Sequence, residues 1–201
     1  KHFLTLLLAA LLLSGCASDP EAGKGSSIYL TSMDTVMQLT AYGRGRDAAL
    51  AEAQAEIQRL DALLSTGSAH SEVSQLNARG SLVLSQDTGD LLQEALTLAQ
   101  DTDGLFDITV YPVVKLWGFY DKTYHVPTEA ELTSAMALVG YQQVGYNAET
   151  KTATLGQGQS IDLGGIGKGY TSQRVTDILK TAGIQSAMVS LGGNVQCLGT
   201  K

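Results

Sequence analysis

The chain has 201 residues, 44% hydrophobic and 16% charged, a globular balance that allows one sizeable core, or one domain with part of a second, and argues against disorder or a coiled coil. Thirteen basic against twenty acidic residues leave a net charge of −7, so the chain as a whole lacks the positive field that draws nucleic acid or anionic lipid, and any polyphosphate site must be local. Cys16 and Cys197 are its only cysteines, which excludes a disulfide framework, and with so few histidines a metal would be bound by oxygens.

Lys1 and His2 precede an apolar run over residues 4–13 that leads into Leu13-Ser14-Gly15-Cys16. Such a run is too short to span a bilayer, which takes roughly twenty residues, but it suits a secretory signal. Residues 1–16 are therefore expected to be a lipoprotein signal with lipidation at Cys16, and the small, polar residues 17–27 a flexible tether to a domain starting at Ile28.

Residues 28–42 predict one or two strands and residues 47–64 an amphipathic helix, with Leu50, Ile57, Leu60 and Leu64 on one face. Residues 65–79 read as a polar segment. Asp87 and Thr88 are expected to cap a second helix running to Gln100, broken by residues 101–104. Thr128 and Glu131 form a capping box. Strands are predicted over residues 144–146, 152–155, 160–163 and 184–191, with a helix from Tyr170 to Ala182 ended by Gly183. Residues 192–194 are a turn, and a chain that stops just after a strand signal reads as a fragment. Strands and helices in this irregular order predict an α+β fold.

The run Asp162-Leu163-Gly164-Gly165-Ile166-Gly167-Lys168-Gly169-Tyr170 sets a carboxylate, four glycines and a lysine at a predicted helix start. Glycine lets a ligand approach the backbone, and the unpaired N–H groups of a helix start favour an anion. The run is not a P-loop, because Gly169 follows Lys168 where Ser or Thr is needed. It is not the dinucleotide fingerprint either, because Tyr170 stands at the third glycine. On spacing alone, a phosphate site and a tight strand-to-helix turn are equally open. Asp107, flanked by apolar residues, is either a turn cap or a site residue; Trp117, Phe119, Met33 and Met37 read as core.

Five ordered segments resemble the ApbE family of FAD:protein FMN transferases: Ser32-Met33-Asp34-Thr35, residues 71–77, residues 102–112 with Trp117-Gly118-Phe119, residues 162–170, and Ser190-Leu191-Gly192-Gly193-Asn194. The resemblance runs over residues 28–201, about two-thirds of a family domain, and implies a T-fold-related architecture. It implies Mg²⁺-dependent cleavage of FAD, with FMN passed to a threonine or serine of an acceptor flavoprotein in a redox complex outside the cytoplasm, and AMP released. By motif match Met33, Leu105, Phe106, Asp107, Asp162 and Lys168 would contact FAD, and the Gly165 carbonyl would join the metal shell. The chain departs from the family's Met-Gly-Thr at Asp34 and from its Ser-Thr-Tyr at Gly67, where the family's tyrosine packs on the flavin. It also lacks the family's later His-His-Ile-x-Asp-Pro segment and metal cluster. An FAD pyrophosphatase and a non-catalytic flavin-binding lipoprotein are the alternatives.

Overall fold

The computed structural model describes residues 23–120 and 122–200; the expected signal, Cys16 and most of the expected tether lie outside them. In chain order the elements are β1 (Gly25–Ser32), β2 (Thr35–Tyr42), α1 (Arg46–Leu64), α2 (Glu72–Arg79), β3 (Ser81–Val83), α3 (Gln86–Asp101) and α4 (Tyr111–Leu116). There follow α5 (Glu129–Met136), β4 (Gly145–Asn147), β5 (Thr152–Thr154), α6 (Gly164–Thr181), β6 (Ser186–Leu191) and β7 (Asn194–Leu198). The first strand thus opens at Gly25, ahead of the expected start at Ile28.

Two tight hairpins make the larger sheet, whose order is β1-β2-β6-β7 with every pair antiparallel. Met33 and Asp34 turn the first hairpin with φ of 49° and 56°, and Gly192 and Gly193 turn the second with 58° and 93°. Left-handed backbone at both central residues matches the strands' own twist, which is why two-residue hairpin loops adopt it. Alternation along β2 buries Met37, Leu39 and Ala41, and along β6 Ala187, Val189 and Leu191. Leu50, Ala53 and Ile57 of α1 and Val175 and Leu179 of α6 close over that face.

The last two turns of α1 leave this core and enter a second one. There Leu60 and Leu64 pack with Val73 and Leu76 of α2, Leu91, Leu92 and Ala95 of α3, and Ala153 of the small β3-β5-β4 sheet. Met33, at the hairpin tip, packs against both cores.

The structure corrects five expectations. Trp117 and Phe119, read as core, are exposed, because they follow the short α4 onto the surface. The segment expected to be merely polar contains α2, because Val73 and Leu76 lie three apart on one face and Ser71 caps it by accepting from Ser74 N. Ser85, not Asp87 or Thr88, caps α3 by accepting from Thr88 N. Residues 160–163 are not a strand, since their backbone partners are the Asn77 side chain and the Ile108 carbonyl of a short 3₁₀ turn. The predicted helix at Tyr170 begins at Gly164, so the glycines occupy its first turns. The capping box at Thr128 and Glu131 is present as expected.

Asp87, released from capping, joins a four-charge square across three helices. Arg59 of α1 bonds Glu56 at 2.8 Å and Asp87 at 2.7 Å, Arg174 of α6 lies 3.3 Å from Glu56 and 3.8 Å from Asp87, and Tyr170 donates to Asp87 at 2.9 Å. The hydrogen bond from Arg59 holds the Glu56 carboxyl below its usual value. For Asp87 burial pushes upward, but hydrogen bonds from Arg59 and Tyr170 and the two guanidinium charges outweigh it and lower the pKa. Depressed carboxyl pKa values stabilise the fold above the unfolded value and lose that contribution as pH falls through the folded one. The melting temperature should therefore hold from neutral pH to about 5 and fall below about pH 4. In Asp87→Asn, scanning calorimetry should show a loss of roughly 1 kcal/mol at pH 7 and a shallower acid limb.

Candidate functional site

Met33, Asp162 and Lys168, three of the residues marked from the sequence, line one cleft of about 280 Å³, together with Asp34, Asp61, Thr66 and Tyr120. It opens between the two cores, where the tip of the β1–β2 hairpin, the end of α1 and the start of α6 meet.

Each wall has a local cause. Asp61, one residue past the buried Leu60 on α1, accepts from Ser32 Oγ at 2.7 Å and from Met33 N at 3.1 Å, tying the hairpin tip to the helix. On the opposite wall Ile161 donates from its N–H to Asn77 Oδ1 at 2.7 Å and its carbonyl accepts from Asn77 Nδ2 at 2.8 Å. Asn77 thus stands in for the neighbouring strand that residues 160–163 lack. Asp162 N adds a bond of 2.9 Å to the Ile108 carbonyl, and Leu163 is buried, so the entry to α6 is held from three sides.

Asp162 Oδ1 accepts from Gly164 N at 2.7 Å, and Oδ2 accepts from Tyr120 Oη. Burial, then the bond to Asp162, raises the Tyr120 phenol well above its usual pKa and keeps it a neutral donor. The Tyr111 ring braces Tyr120 edge-on at 5.2 Å. Lys168 is half-buried one turn into α6, and its ammonium meets no carboxylate among the described residues.

The remaining predicted contacts lie away from the cleft lining. Leu105 is 94% exposed, and Phe106 is packed against the second core. Asp107 is engaged as a cap: Oδ1 accepts from Thr109 N at 2.8 Å and Thr109 Oγ1 at 2.6 Å, and Oδ2 accepts from Tyr141 N at 2.9 Å. Gly165, expected to lend a metal-binding carbonyl, is the second residue of α6, and a Cβ there would come within 3.2 Å of the Phe106 ring. Its lack of a side chain therefore serves packing.

Asp61, Thr66, Asn77 and Tyr120 were missed as site residues. Asn77 ends a segment that the resemblance had marked, and Asp61 is a carboxylate beside a buried helical stripe; for Tyr120 no local signal exists. Among the described residues no cluster of three or more acidic, His or Cys side chains is placed to hold a metal ion. The residues present do not by themselves form a Mg²⁺ shell.

The fold and cleft define an α+β protein with a carboxylate, a lysine and a glycine-rich helix start converging on one small pocket. The sequence model of the ApbE family matches residues 33–201, and the chain belongs to that family. It is 32% identical over 209 residues to the FAD:protein FMN transferase of Salmonella typhimurium, covering 96% of this chain and 59% of the relative. The FAD:protein FMN transferase of Vibrio cholerae is 30% identical over 208 residues, 99% of this chain and 61% of the relative. The crystal structure of the ApbE protein from Thermotoga maritima superposes with a TM-score of 0.84 at 25% identity, over 89% of this chain and 60% of that one. The chain thus spans about 60% of the length of these relatives.

Two substitutions test the construction of the walls. Asp34 sits at φ 56°, where the resemblance expects glycine; Asp34→Gly should raise stability by about 0.5–1 kcal/mol in urea denaturation, because glycine adopts that backbone without a Cβ penalty. Asn77→Leu leaves both Ile161 backbone groups unpaired and should cost about 1–3 kcal/mol in the same assay.

Proposed function

We propose that the whole protein is a flavin transferase that cleaves FAD, attaches FMN to a threonine or serine hydroxyl of an acceptor protein and releases AMP. The observation that carries this reading is the convergence of Met33, Asp162 and Lys168 on one cleft, although the first is separated from the others by most of the domain. The names of the relatives support the reaction class.

In this reading the diphosphate lies at the start of α6. The helix N-terminus offers partial positive charge, and the Lys168 ammonium, held by no carboxylate among the described residues, offsets the charge that builds on the leaving phosphate. Met33 and Leu64 give the cleft an apolar side against which part of the nucleotide can rest. Asp162, aimed by Gly164 N–H and Tyr120, keeps acceptor capacity for nucleotide hydroxyls. The acceptor hydroxyl oxygen bonds to the flavin-side phosphorus, the bond from that phosphorus to the bridging oxygen breaks, AMP departs with that oxygen, and the hydroxyl proton is released. Such transfers depend on positioning and on charge neutralisation more than on covalent help.

Asp34, Asp61 and Asp162 put three negative charges around a pocket proposed to receive a diphosphate. That imbalance supports a requirement for Mg²⁺, with a shell that draws on oxygens beyond the described residues. The signal over residues 1–16 supports export and a lipid anchor at Cys16, which would set the protein outside the cytoplasm near membrane redox complexes whose flavoprotein subunits would be its acceptors. Among the described residues no helix is long and apolar enough to cross a membrane.

The test uses full-length protein with FAD, Mg²⁺ and an acceptor carrying the target hydroxyl. AMP should appear by chromatography and flavin fluorescence should remain on the denatured acceptor in a gel. AMP with free FMN would instead identify a pyrophosphatase, and retention of intact FAD a binding protein. EDTA should stop AMP release. Lys168→Ala should lower kcat/KM for FAD by about 10²-fold or more, and unchanged kinetics would remove Lys168 from the site.

A further inference from the structure

A second recess, of about 660 Å³, shares with the cleft the segment that leads into α6. Ser160 lines this recess, whereas Asp162 and Leu163, two and three residues further on, line the cleft, and Thr66 lines both. The other walls come from the end of α2, from Tyr111 and Lys115 of α4 and from the loop over residues 155–159.

The polar side chains of the recess fall into two sets. Asn77 is spent on Ile161, Gln159 accepts from Gly156 N and donates to the Leu138 and Gly140 carbonyls, and Ser74 donates to the Ser65 and Thr66 carbonyls. Arg79, Lys115, Gln157 and Ser160 make no side-chain hydrogen bond or ion pair among the described residues. What remains free is therefore two full positive charges and an excess of donors over acceptors, and no carboxylate of the described residues lines the recess. Arg79 and Lys115 each stand in the last turn of a short helix, where a cation offsets the negative end of the helix. That accounts for one cation on each helix, but not for both meeting at one recess in a chain of net charge −7. Lys115 is also held over the Tyr111 ring, 5.6 Å from its centroid.

This arrangement selects its occupant. A guanidinium fork takes a carboxylate through two parallel hydrogen bonds, so the matching ligand is acidic. Both cations are exposed, and the rim at Gly80 and Gly158 carries no side chain, which makes the recess an open trough and not a closed cage for a free anion. Two extended residues span roughly 7 Å, so a polypeptide segment lying in the trough can present a hydroxyl to the adjoining cleft a few residues away.

We propose that this recess docks the acceptor protein, with Arg79 and Lys115 taking an acidic side chain that lies a few residues from the hydroxyl to be modified. The inference rests on the transferase reading of the cleft. The pair of cations supplies register and choice of partner: the rest of the chain repels an acidic segment, and only seating at the recess offsets that repulsion.

The experiment gives full-length protein FAD, Mg²⁺ and synthetic peptides with one central threonine flanked at varied positions by Asp, Asn or Lys. FMN on the peptide is read by mass spectrometry and FAD affinity by calorimetry, with melting curves to confirm that each variant is folded. For at least one flanking position, wild type should label the Asp peptide with a kcat/KM about 5-fold or more above that of the Asn peptide, and the Lys peptide least. In Arg79→Glu and Lys115→Glu that order should level or reverse while FAD affinity stays as in wild type, and Arg79→Lys should keep part of the preference. Labelling that ignores flanking charge, or an Asp preference that survives in folded Arg79→Glu and Lys115→Glu, overturns the docking proposal and leaves the transferase reading standing. Weakened FAD binding in those variants with the peptide preference intact overturns it too, by giving the recess to the nucleotide. AMP release with no label on any peptide overturns both.

Discussion

The cleft depends on one side-chain amide. Asn77 offers an acceptor and a donor to the two backbone groups of Ile161, 84 residues away in sequence, and so supplies the pairing that a missing strand would have given. Without it, Ile161 would carry two unpaired polar groups beside a buried core, and the entry to α6 would be free to shift. Four glycines in the first two turns make that end of the helix intrinsically weak, each costing up to about 1 kcal/mol relative to alanine. Tertiary anchors therefore decide where the helix begins. Asn77, the Ile108 carbonyl and Asp162's own bond to Gly164 all fall within the three residues ahead of it.

Much of the fold was legible because it rests on periodicity. The face of α1 carrying Leu50, Ile57, Leu60 and Leu64, the turn that opens at residue 192, and the capping box at Thr128 each depend on residues close in sequence. The failures share the opposite property. Residues 160–163 look like a strand because Ile161 and Leu163 alternate with polar neighbours, yet their partner is a side chain, which no local pattern encodes. α2 went unread because a single turn of apolar spacing, Val73 to Leu76, is too short a signal beside the polar residues around it.

The site was legible in part for the same reason. Met33, Asp162 and Lys168 stood within recognisable segments and meet in the cleft, whereas Asp107 shows how a motif residue can be fully occupied by the architecture, its carboxylate spent on Thr109 and Tyr141. The structure also gives a physical sense to both departures from the family's pattern. Asp34 tolerates a left-handed turn that glycine would adopt more readily, and Gly67 leaves open space where a tyrosine would stand. Tyr120, reached through a different segment, brings a ring to the same neighbourhood.

The pairing of β2 with β6 joins Met37 to Leu191 and Tyr42 to Ser186, so a strand made early has no neighbour on one side until β6, about 145 residues later, is made. During synthesis that flank remains an unmatched row of amides and carbonyls beside an apolar face, the kind of surface that seeks another polypeptide. Folding of the larger sheet is in this way deferred until nearly every described residue has been made.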